Sequence, residues 1–283
     1  AVNPACAAGL RCPVCHGPLA VFGRALRCPK NHSFDLAKEG YVNLLPIQKR
    51  HAAEPGDGKA MVAARRAFLQ AGYYDPFRRA LAELCLDLAP ENARIVDAGC
   101  GEGSYDETVL AAFAGAGRAA QLIGFDLAKP AVRLAAKLVP QALFAVGGSF
   151  CAPVADGWAD VLLNVFSPFA AAEFARMLRP GGVLIYAVPT PRHLYGLKEI
   201  LYDRPYENPD QNTNYPGFVR LPDRERTVTA ALTLEAAAAQ QLFMMTPYCY
   251  NTPAAGAARL AAQQTLGTEI GFRFLVYRRE PGA

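Results

Sequence analysis

Ala93-Arg94-Ile95-Val96-Asp97-Ala98-Gly99-Cys100-Gly101-Glu102-Gly103-Ser104 is the stretch on which the reading of this 283-residue chain turns. Ala93–Ala98 is short and apolar, the pattern of a buried strand. Three alternating glycines follow, and a helical pattern starts at about Tyr105. A glycine turn between strand and helix lets a ligand approach the backbone, because no Cβ stands in the way. The dinucleotide fingerprint G-x-G-x-x-G needs glycine where Ser104 stands. What is present is D-x-G-x-G-x-G, made by Asp97, Gly99, Gly101 and Gly103. A second strand, LIGFDLA, carries Asp126 at its end, 25 residues after Gly101. An acid there accepts hydrogen bonds from ribose hydroxyls in Rossmann-type sites. Either feature alone is weak; together they make a strong signal.

The same rhythm continues outward. A helix over about Lys129–Leu138 precedes a third strand at Ala142–Val146 and the loop Gly147-Gly148-Ser149-Phe150. A fourth strand spans Asp160–Phe166 and runs into Ser167-Pro168-Phe169. A helix is expected to end at Arg179-Pro180-Gly181-Gly182, before a fifth strand at Val183–Val188. Alternating strands and helices with short turns predict a parallel sheet covered on both faces, with ligands at the carboxyl ends of its strands. Two late strands are expected at about Arg226–Leu234 and Glu269–Arg278, the second antiparallel at the sheet's end. Arg204–Pro222, rich in Pro, Asn and Asp, reads as a surface loop or a substrate lid.

Working toward the N-terminus, Phe77, Leu81, Leu84 and Leu88 form one apolar helical stripe, with Asp75 expected as its cap and Pro76 at its first position. Met61, Ala64, Ala67 and Phe68 form another, which also carries Arg65 and Arg66 and ends at Gly72. Before it, Pro46 and Glu54-Pro55-Gly56-Asp57-Gly58 break the chain, so a first domain ends between Leu45 and Ala60.

That first segment contains Cys12-Pro13-Val14-Cys15 and, twelve residues on, Cys28-Pro29-Lys30-Asn31-His32. C-x2-C-x12-C-x3-H places two knuckles where one tetrahedral ion takes three thiolates and an imidazole. The intervening GPLAVFGRALR suits a hairpin, giving a small zinc ribbon with Phe34 and Leu36 as anchors behind it. His16 and Cys6 are the competing ligands. About 40 residues bury too little core to fold alone, so metal supplies stability. The other four cysteines (Cys85, Cys100, Cys151, Cys249) have no partner spacing and read as small, mostly buried thiols.

Charge divides the same way. The first 52 residues hold seven Lys/Arg against two acids, a formal +5 of the chain's +4, leaving −1 for the rest. Such asymmetry points to a polyanion partner for the N-terminal end, although a solvated basic surface explains it equally. With 52% hydrophobic and 19% charged residues the chain is neither disordered nor fibrous. It carries no charge-free apolar run of about 18 residues, so no transmembrane helix is expected. AVNPACAAGLRCP has no apolar core of a signal peptide, which sets the expectation of a cytoplasmic protein.

The glycine pattern resembles motif I of class I S-adenosylmethionine (SAM) methyltransferases. More closely, CPVCHGPL, LRCPKNHSFDLAKEGYVNLLP, GYYDPF, DAGCGEGSY, GFDLAKPAV, LRPGG and PTPRHLYGLK together resemble the bacterial 23S rRNA guanine-N1-methyltransferases, over almost the whole chain. The resemblance is weakest over Tyr202–Thr227. It implies an α/β architecture with a zinc-ribbon RNA-recognition domain (residues 1–50) before a Rossmann-like, class I SAM-dependent methyltransferase domain (residues 51–283). It implies methylation of a guanine in a 23S rRNA hairpin near the peptide tunnel. One branch of that family confers resistance to certain macrolides. Zinc ligands carry over onto Cys12, Cys15, Cys28 and His32. Cofactor positions carry over onto Tyr74, Gly101, Glu102 and His193, joining Asp97, Gly99, Gly103, Asp126 and Ser149 from the residue reading. A homodimer sharing an RNA cleft is also implied. On residues alone Tyr74 reads as a helix-packing tyrosine and His193 as a capping or surface histidine. Asn164-Val165-Phe166-Ser167-Pro168-Phe169 is a stretch that varies among family branches.

Methylating guanine N1 requires its proton to leave, and no base is evident: His193 is a candidate, and Asp160 and Glu173 have salt-bridge readings. The Ser167-Pro168-Phe169 turn is placed to present carbonyls and an aromatic face to an extruded base, with Phe166 and Phe169 equally readable as core. Two other classes fit the residues: a small-molecule methyltransferase whose ribbon serves dimerisation, and an RNA-binding protein with a relic pocket.

Overall fold

A computed structural model describes residues 4–46 and 56–282 of the chain. The N-terminal part runs α1 (Pro4–Ala7), β1 (Ala20–Phe22), β2 (Ala25–Arg27), β3 (Ser33–Asp35) and β4 (Val42–Asn43). Then come α2 (Lys59–Gln70), α3 (Asp75–Leu88), β5 (Ala93–Ala98), α4 (Ser104–Gly115), β6 (Ala120–Asp126), α5 (Lys129–Leu138), β7 (Leu143–Val146) and β8 (Ala159–Val165). The remainder is α6 (Ala171–Met177), β9 (Leu178–Pro189), α7 (Tyr195–Leu201), β10 (Phe218–Arg220), β11 (Arg226–Glu235), α8 (Ala236–Met244), α9 (Tyr248–Asn251), α10 (Ala254–Ala261) and β12 (Thr265–Arg279).

Strands β9-β8-β5-β6-β7 are parallel neighbours in that order. β12 joins β9 antiparallel, and β10 and β11 both pair with β12. β5 is central, and the chain leaves it toward β6 on one side and returns to β8 on the other. That reversal opens a crevice at the carboxyl ends of β5 and β8, where open α/β sheets bind ligands. The strands read as unbroken apolar runs because both faces are covered. Ile95 faces a core built with helices α3, α4 and α5, while Val96 and Ala98 face a second core.

The ribbon itself covers much of that second face. β1, β2 and β3 form a three-stranded antiparallel sheet, with the hairpin between the knuckles as expected. Cys6, Ala7, Leu10, Leu19 and Leu26 are buried in one core with Val96, Ile123, Phe125 and Leu143. Burying each such leucine contributes about 1.5–3 kcal/mol. Gly9 lies so close to Trp158 that a Cβ on it would stand 2.5 Å from the indole. Arg11 is tied to Glu173 at 3.4 Å, and Arg176 holds the same carboxylate at 2.7 Å. β4 then pairs in parallel with β7, extending the large sheet by one edge strand. The expected break at Glu54-Pro55 and the 50/51 division lie outside the described residues, as do Lys49 and Arg50.

Two local expectations are corrected. Asp75 is not the cap: Tyr74 occupies that position and Asp75 opens α3, paired with Arg78 at 3.3 Å, where a carboxylate favours the helix dipole. The helix before the fifth strand ends at Met177 rather than at Arg179. Leu178 already begins β9, and the register against β8 shifts between Ala159 and Val161. Gly181, with φ +74, lets the strand absorb Pro180–Gly182 as an irregularity instead of a turn.

Candidate active site

The glycine turn after β5 forms the floor of a cleft of about 550 Å³, within the size range of small-molecule sites. Its glycines differ in what surrounds them. A Cβ on Gly103 (φ +88) would meet the α5 backbone at 2.9 Å, and one on Gly99 would meet Ser167 Oγ at 2.5 Å. A Cβ on Gly101 (φ +55) would meet only the Arg65 guanidinium, at 4.0 Å. Gly101 is therefore the glycine that leaves backbone open to a ligand, and the other two hold the turn against its neighbours.

Asp126 ends β6 beside it. Its two oxygens accept the N–H groups of Gly101 (3.0 Å) and Ala128 (2.8 Å). A carboxylate has about four lone-pair sites, so two remain for hydroxyl donors. Burial raises this carboxyl, and the two N–H donors counter that. Glu102 is buried, accepts the Ser104 N–H at 3.2 Å and pairs with Arg66 at 3.4 Å. Asp97 and Asp106 are both buried behind the turn. Asp97 Oδ1 and both Asp106 oxygens have no donor from another residue. Burial pushes both carboxyls up, and the Asp97 charge pushes Asp106 further.

Tyr74 and His193 close the opposite wall. The buried Tyr74 ring stands edge-on to Phe68 (5.1 Å), Phe77 (5.3 Å) and Phe272 (5.3 Å), and lies 6.5 Å from His193. It is thus both a packing tyrosine and a cleft residue. The Gly271 N–H donates to His193 Nδ1 at 3.1 Å. Burial, with Lys198 nearby, pushes the imidazole down to about 3. His193 is therefore neutral with its proton on Nε2, a hydrogen-bond donor rather than a base. Ser149 lies in the loop after β7, on the cleft's far side from β8.

Of the nine cofactor positions read from the sequence, Tyr74, Asp97, Gly99, Gly101, Glu102, Asp126, Ser149 and His193 line this one cleft. Gly103 supports it from behind. Asp160 and Glu173 lie elsewhere: Asp160 pairs with Arg179 (2.6 Å) and Arg94 (3.4 Å), and Glu173 with Arg11 and Arg176. Both are structural ion pairs. The turn after β8 divides its two phenylalanines. Phe169 stacks on Tyr215 at 3.5 Å and packs half-buried against the core, whereas Phe166 borders the cleft.

Several lining residues had no signal sufficient to single them out. Arg65 pairs with Asp57 at 2.7 Å and donates to the Met245 carbonyl at 3.2 Å. Its trace was the Arg65-Arg66 pair on an apolar helix. Asn208 comes from the Arg204–Pro222 loop. Lys198, fully buried, donates to Asn208 Oδ1 (2.8 Å) and the Tyr206 carbonyl (3.0 Å), and Asn208 donates to the carbonyls of Thr190 and His193. That loop segment is thereby a fixed wall of the cleft. Nothing local to Lys198 or Asn208 announces this.

On the ribbon, the ligating atoms of Cys12, Cys15, Cys28 and His32 all lie within 4.8 Å of one another. A tetrahedral zinc with legs of about 2.3 Å to sulfur and about 2.0–2.1 Å to nitrogen has edges of about 3.5–3.8 Å. His32 Nδ1 stands 3.5 Å from Cys12 Sγ and 3.3 Å from Cys28 Sγ, and Cys15 and Cys28 Sγ are 3.6 Å apart. Donor set and spacing fit that ion. His16 stays out of the cluster; its left-handed φ of +59 lets its N–H reach the Cys12 carbonyl at 2.9 Å. Cys6 is buried in the core under the sheet. Arg24 and Lys30 are exposed on the ribbon, and the Arg27 guanidinium lies 3.8 Å over the exposed Phe22 ring. No described helix is long and apolar enough to cross a membrane.

Strand order, glycine turn, ribose-type carboxylate and zinc ribbon define a class I SAM-dependent methyltransferase with an appended zinc-binding module. Comparison with known proteins agrees. Residues 10–53 match the model of the RlmA N-terminal zinc ribbon, and residues 96–186 that of a methyltransferase domain. The chain is 42% identical over 195 residues to the 23S rRNA (guanine(748)-N(1))-methyltransferase of Streptomyces fradiae, covering 68% of this chain and 67% of that one. A Micromonospora griseorubida protein named for 23S rRNA (guanine-N(1)-)-methylation is 45% identical over 208 residues, 68% of this chain and 69% of that one. One from Bacillus subtilis, named for the same reaction, is 34% identical over 252 residues, 86% and 87% of the two chains. The chain belongs to the 23S rRNA (guanine-N1-)-methyltransferase family.

Proposed function

We propose that this chain transfers a methyl group from SAM to N1 of a guanine in a 23S rRNA hairpin. The observation that carries it is a single cleft, at the switch point of the sheet, that gathers eight of the nine expected cofactor positions in a chain 34–45% identical to relatives named for this reaction. When bound, SAM supplies the electrophilic methyl of its sulfonium. The chain's own groups do the positioning, an effect worth up to about 7–11 kcal/mol. Gly101 leaves backbone for the cofactor, Asp126 keeps lone pairs for two ribose hydroxyls, and Ser149 stands where the base of the cofactor extends. Tyr74 and His193 form the opposite wall, His193 offering Nε2–H to a ligand oxygen. Asp97, Gly99, Glu102 and Gly103 hold the turn in shape.

Residues 1–50 serve as the RNA-recognition ribbon and residues 51–283 as the catalytic domain. Cys12, Cys15, Cys28 and His32 hold a structural zinc, a closed set with no position for substrate. Exposed Arg24 and Lys30, with Arg27 stacked on Phe22, support phosphate and base contacts on the ribbon. The family resemblance supports a homodimer and, through the rRNA substrate, a cytoplasmic location. Incubating the chain with 23S rRNA and SAM, then mapping modified nucleotides by mass, tests the reading. One methylated guanine whose Watson–Crick N1 is blocked is the expected result. Methyl transfer only to small molecules would overturn it, and no SAM binding by calorimetry would point to a relic pocket.

A further inference from the structure

Among the described aromatic residues that line the cleft, Phe150, Phe166 and Tyr250 present large exposed faces, and of these three Phe166 is the one backed by other rings. Phe77 and Phe272 are fully buried and stacked at 4.0 Å with nearly parallel rings. Phe272 meets Phe166 edge-on at 4.5 Å, and the His193 ring lies 5.8 Å from it. Phe166 is thus braced from behind, yet 47% of its surface is exposed. Its backbone is left-handed, φ +52, a conformation that bulky residues rarely adopt and that concentrates at functional sites.

Position narrows what this open face is for. Phe166 follows directly on β8, and the next residue, Ser167, packs against the glycine turn at Gly99. In the sheet, β6 with Asp126 lies on one side of β5 and β8 with Phe166 on the other. A nucleoside held at Asp126 and extending toward Ser149 in the loop after β7 leads away from Phe166. The aromatic face therefore stands on the side of the glycine turn left for a second ligand. That ligand must reach contact distance of the transferred group. Bases modified in structured nucleic acid are extruded from their helix and commonly stacked on aromatic side chains.

We propose that Phe166 is the platform on which the extruded target purine of the RNA stacks beside the cofactor. The inference rests on the rRNA methyltransferase reading above and assigns the base-binding half of the same cleft. It also separates the two phenylalanines of the β8 turn, since Phe169 already has its stacking partner in Tyr215.

The test uses the full zinc-loaded chain, a 23S rRNA transcript and SAM. Base–aromatic stacking contributes about 1–3 kcal/mol, and 1.4 kcal/mol is tenfold. Phe166→Ala should therefore lower kcat/KM for the transcript about 5- to 150-fold, with the SAM dissociation constant within about twofold of wild type. Phe166→Trp, which keeps a stacking face, should restore most of the loss. With 2-aminopurine at the methylated position, wild type and Phe166→Trp should quench its fluorescence and Phe166→Ala should not. Transcript methylation by Phe166→Ala within about twofold of wild type would overturn the assignment. So would a loss of SAM affinity equal to the loss of activity, which would make Phe166 part of the cofactor's own site. A wild-type chain that leaves the transcript unmethylated defeats the substrate reading itself, and this inference with it.

Discussion

Gly101 and Gly103 sit two residues apart in one turn, both left-handed, yet their surroundings predict opposite consequences for the same added methyl group. At Gly103 the new Cβ would stand 2.9 Å from the Ala135 Cα and Cβ, atoms that move only with α5 itself. Left-handed backbone costs alanine about 1–2 kcal/mol, and overpacking adds about 1–3 kcal/mol. Gly103→Ala should thus destabilise the fold by about 2–5 kcal/mol, a fall in Tm of about 4–10 °C for a chain this long. At Gly101 the Cβ meets only the guanidinium of Arg65, 4.0 Å away and in ordinary contact. Gly101→Ala should keep only the backbone cost, about 1–2 kcal/mol and about 2–4 °C. Its methyl instead enters the open cleft, on the backbone face proposed above for the cofactor. A clash of about 1–3 kcal/mol there weakens SAM binding about 5- to 150-fold. Differential scanning calorimetry and titration calorimetry with SAM on both variants read the two effects separately. The reasoning fails if Gly101→Ala binds SAM like wild type, or if Gly103→Ala unfolds at the wild-type temperature.

Three further outcomes follow from the same geometry. Removing zinc with a strong chelator, or Cys12→Ser, should unfold the ribbon and uncover Trp158, the chain's one tryptophan, which packs on Gly9; a red shift of its fluorescence is expected, and an unchanged spectrum with metal gone would refute the coupling. The Asp97–Asp106 pair has its carboxyls raised above their ordinary values, so the folded state binds more protons than the unfolded one, and its contribution to stability falls as pH rises from the ordinary carboxylate range toward the raised values. Asp106→Asn should therefore stabilise the fold at neutral pH and remove a slope of up to about 1.4 kcal/mol per pH unit from urea titrations; a variant with the wild-type slope contradicts the raised carboxyls. Replacing Arg24, Arg27 and Lys30 by alanine should lower the log–log salt slope of RNA binding by up to about 2–3 with SAM affinity unchanged, and an unaltered slope would remove the ribbon from the phosphate interface.

The features legible in the residues were those whose chemistry is local. The glycine turn, the zinc knuckles and the strand–helix alternation each need particular residue types at fixed short spacings, so the string itself carries them. The error at Leu178 shows the limit: Arg-Pro-Gly-Gly reads as a stop because its local propensities favour a turn. Pairing with β8 nevertheless carries the chain through it as strand, with the register shift taking up the strain.

Short-range residue patterns specify the modules and their ligand chemistry: a metal knuckle pair, a nucleoside-type turn and an acid one strand away. How those modules are used is set by packing between distant elements. Arg11 meets Glu173 across 162 residues, and Gly271 sets the His193 tautomer across 78. The ribbon becomes one face of the catalytic core, and of two phenylalanines three residues apart one stacks half-buried on Tyr215 while the other is left open. The physical reason is that periodicity encodes which side of its own element a residue occupies, whereas strand order and packing decide what stands opposite, and no short-range pattern contains that partner.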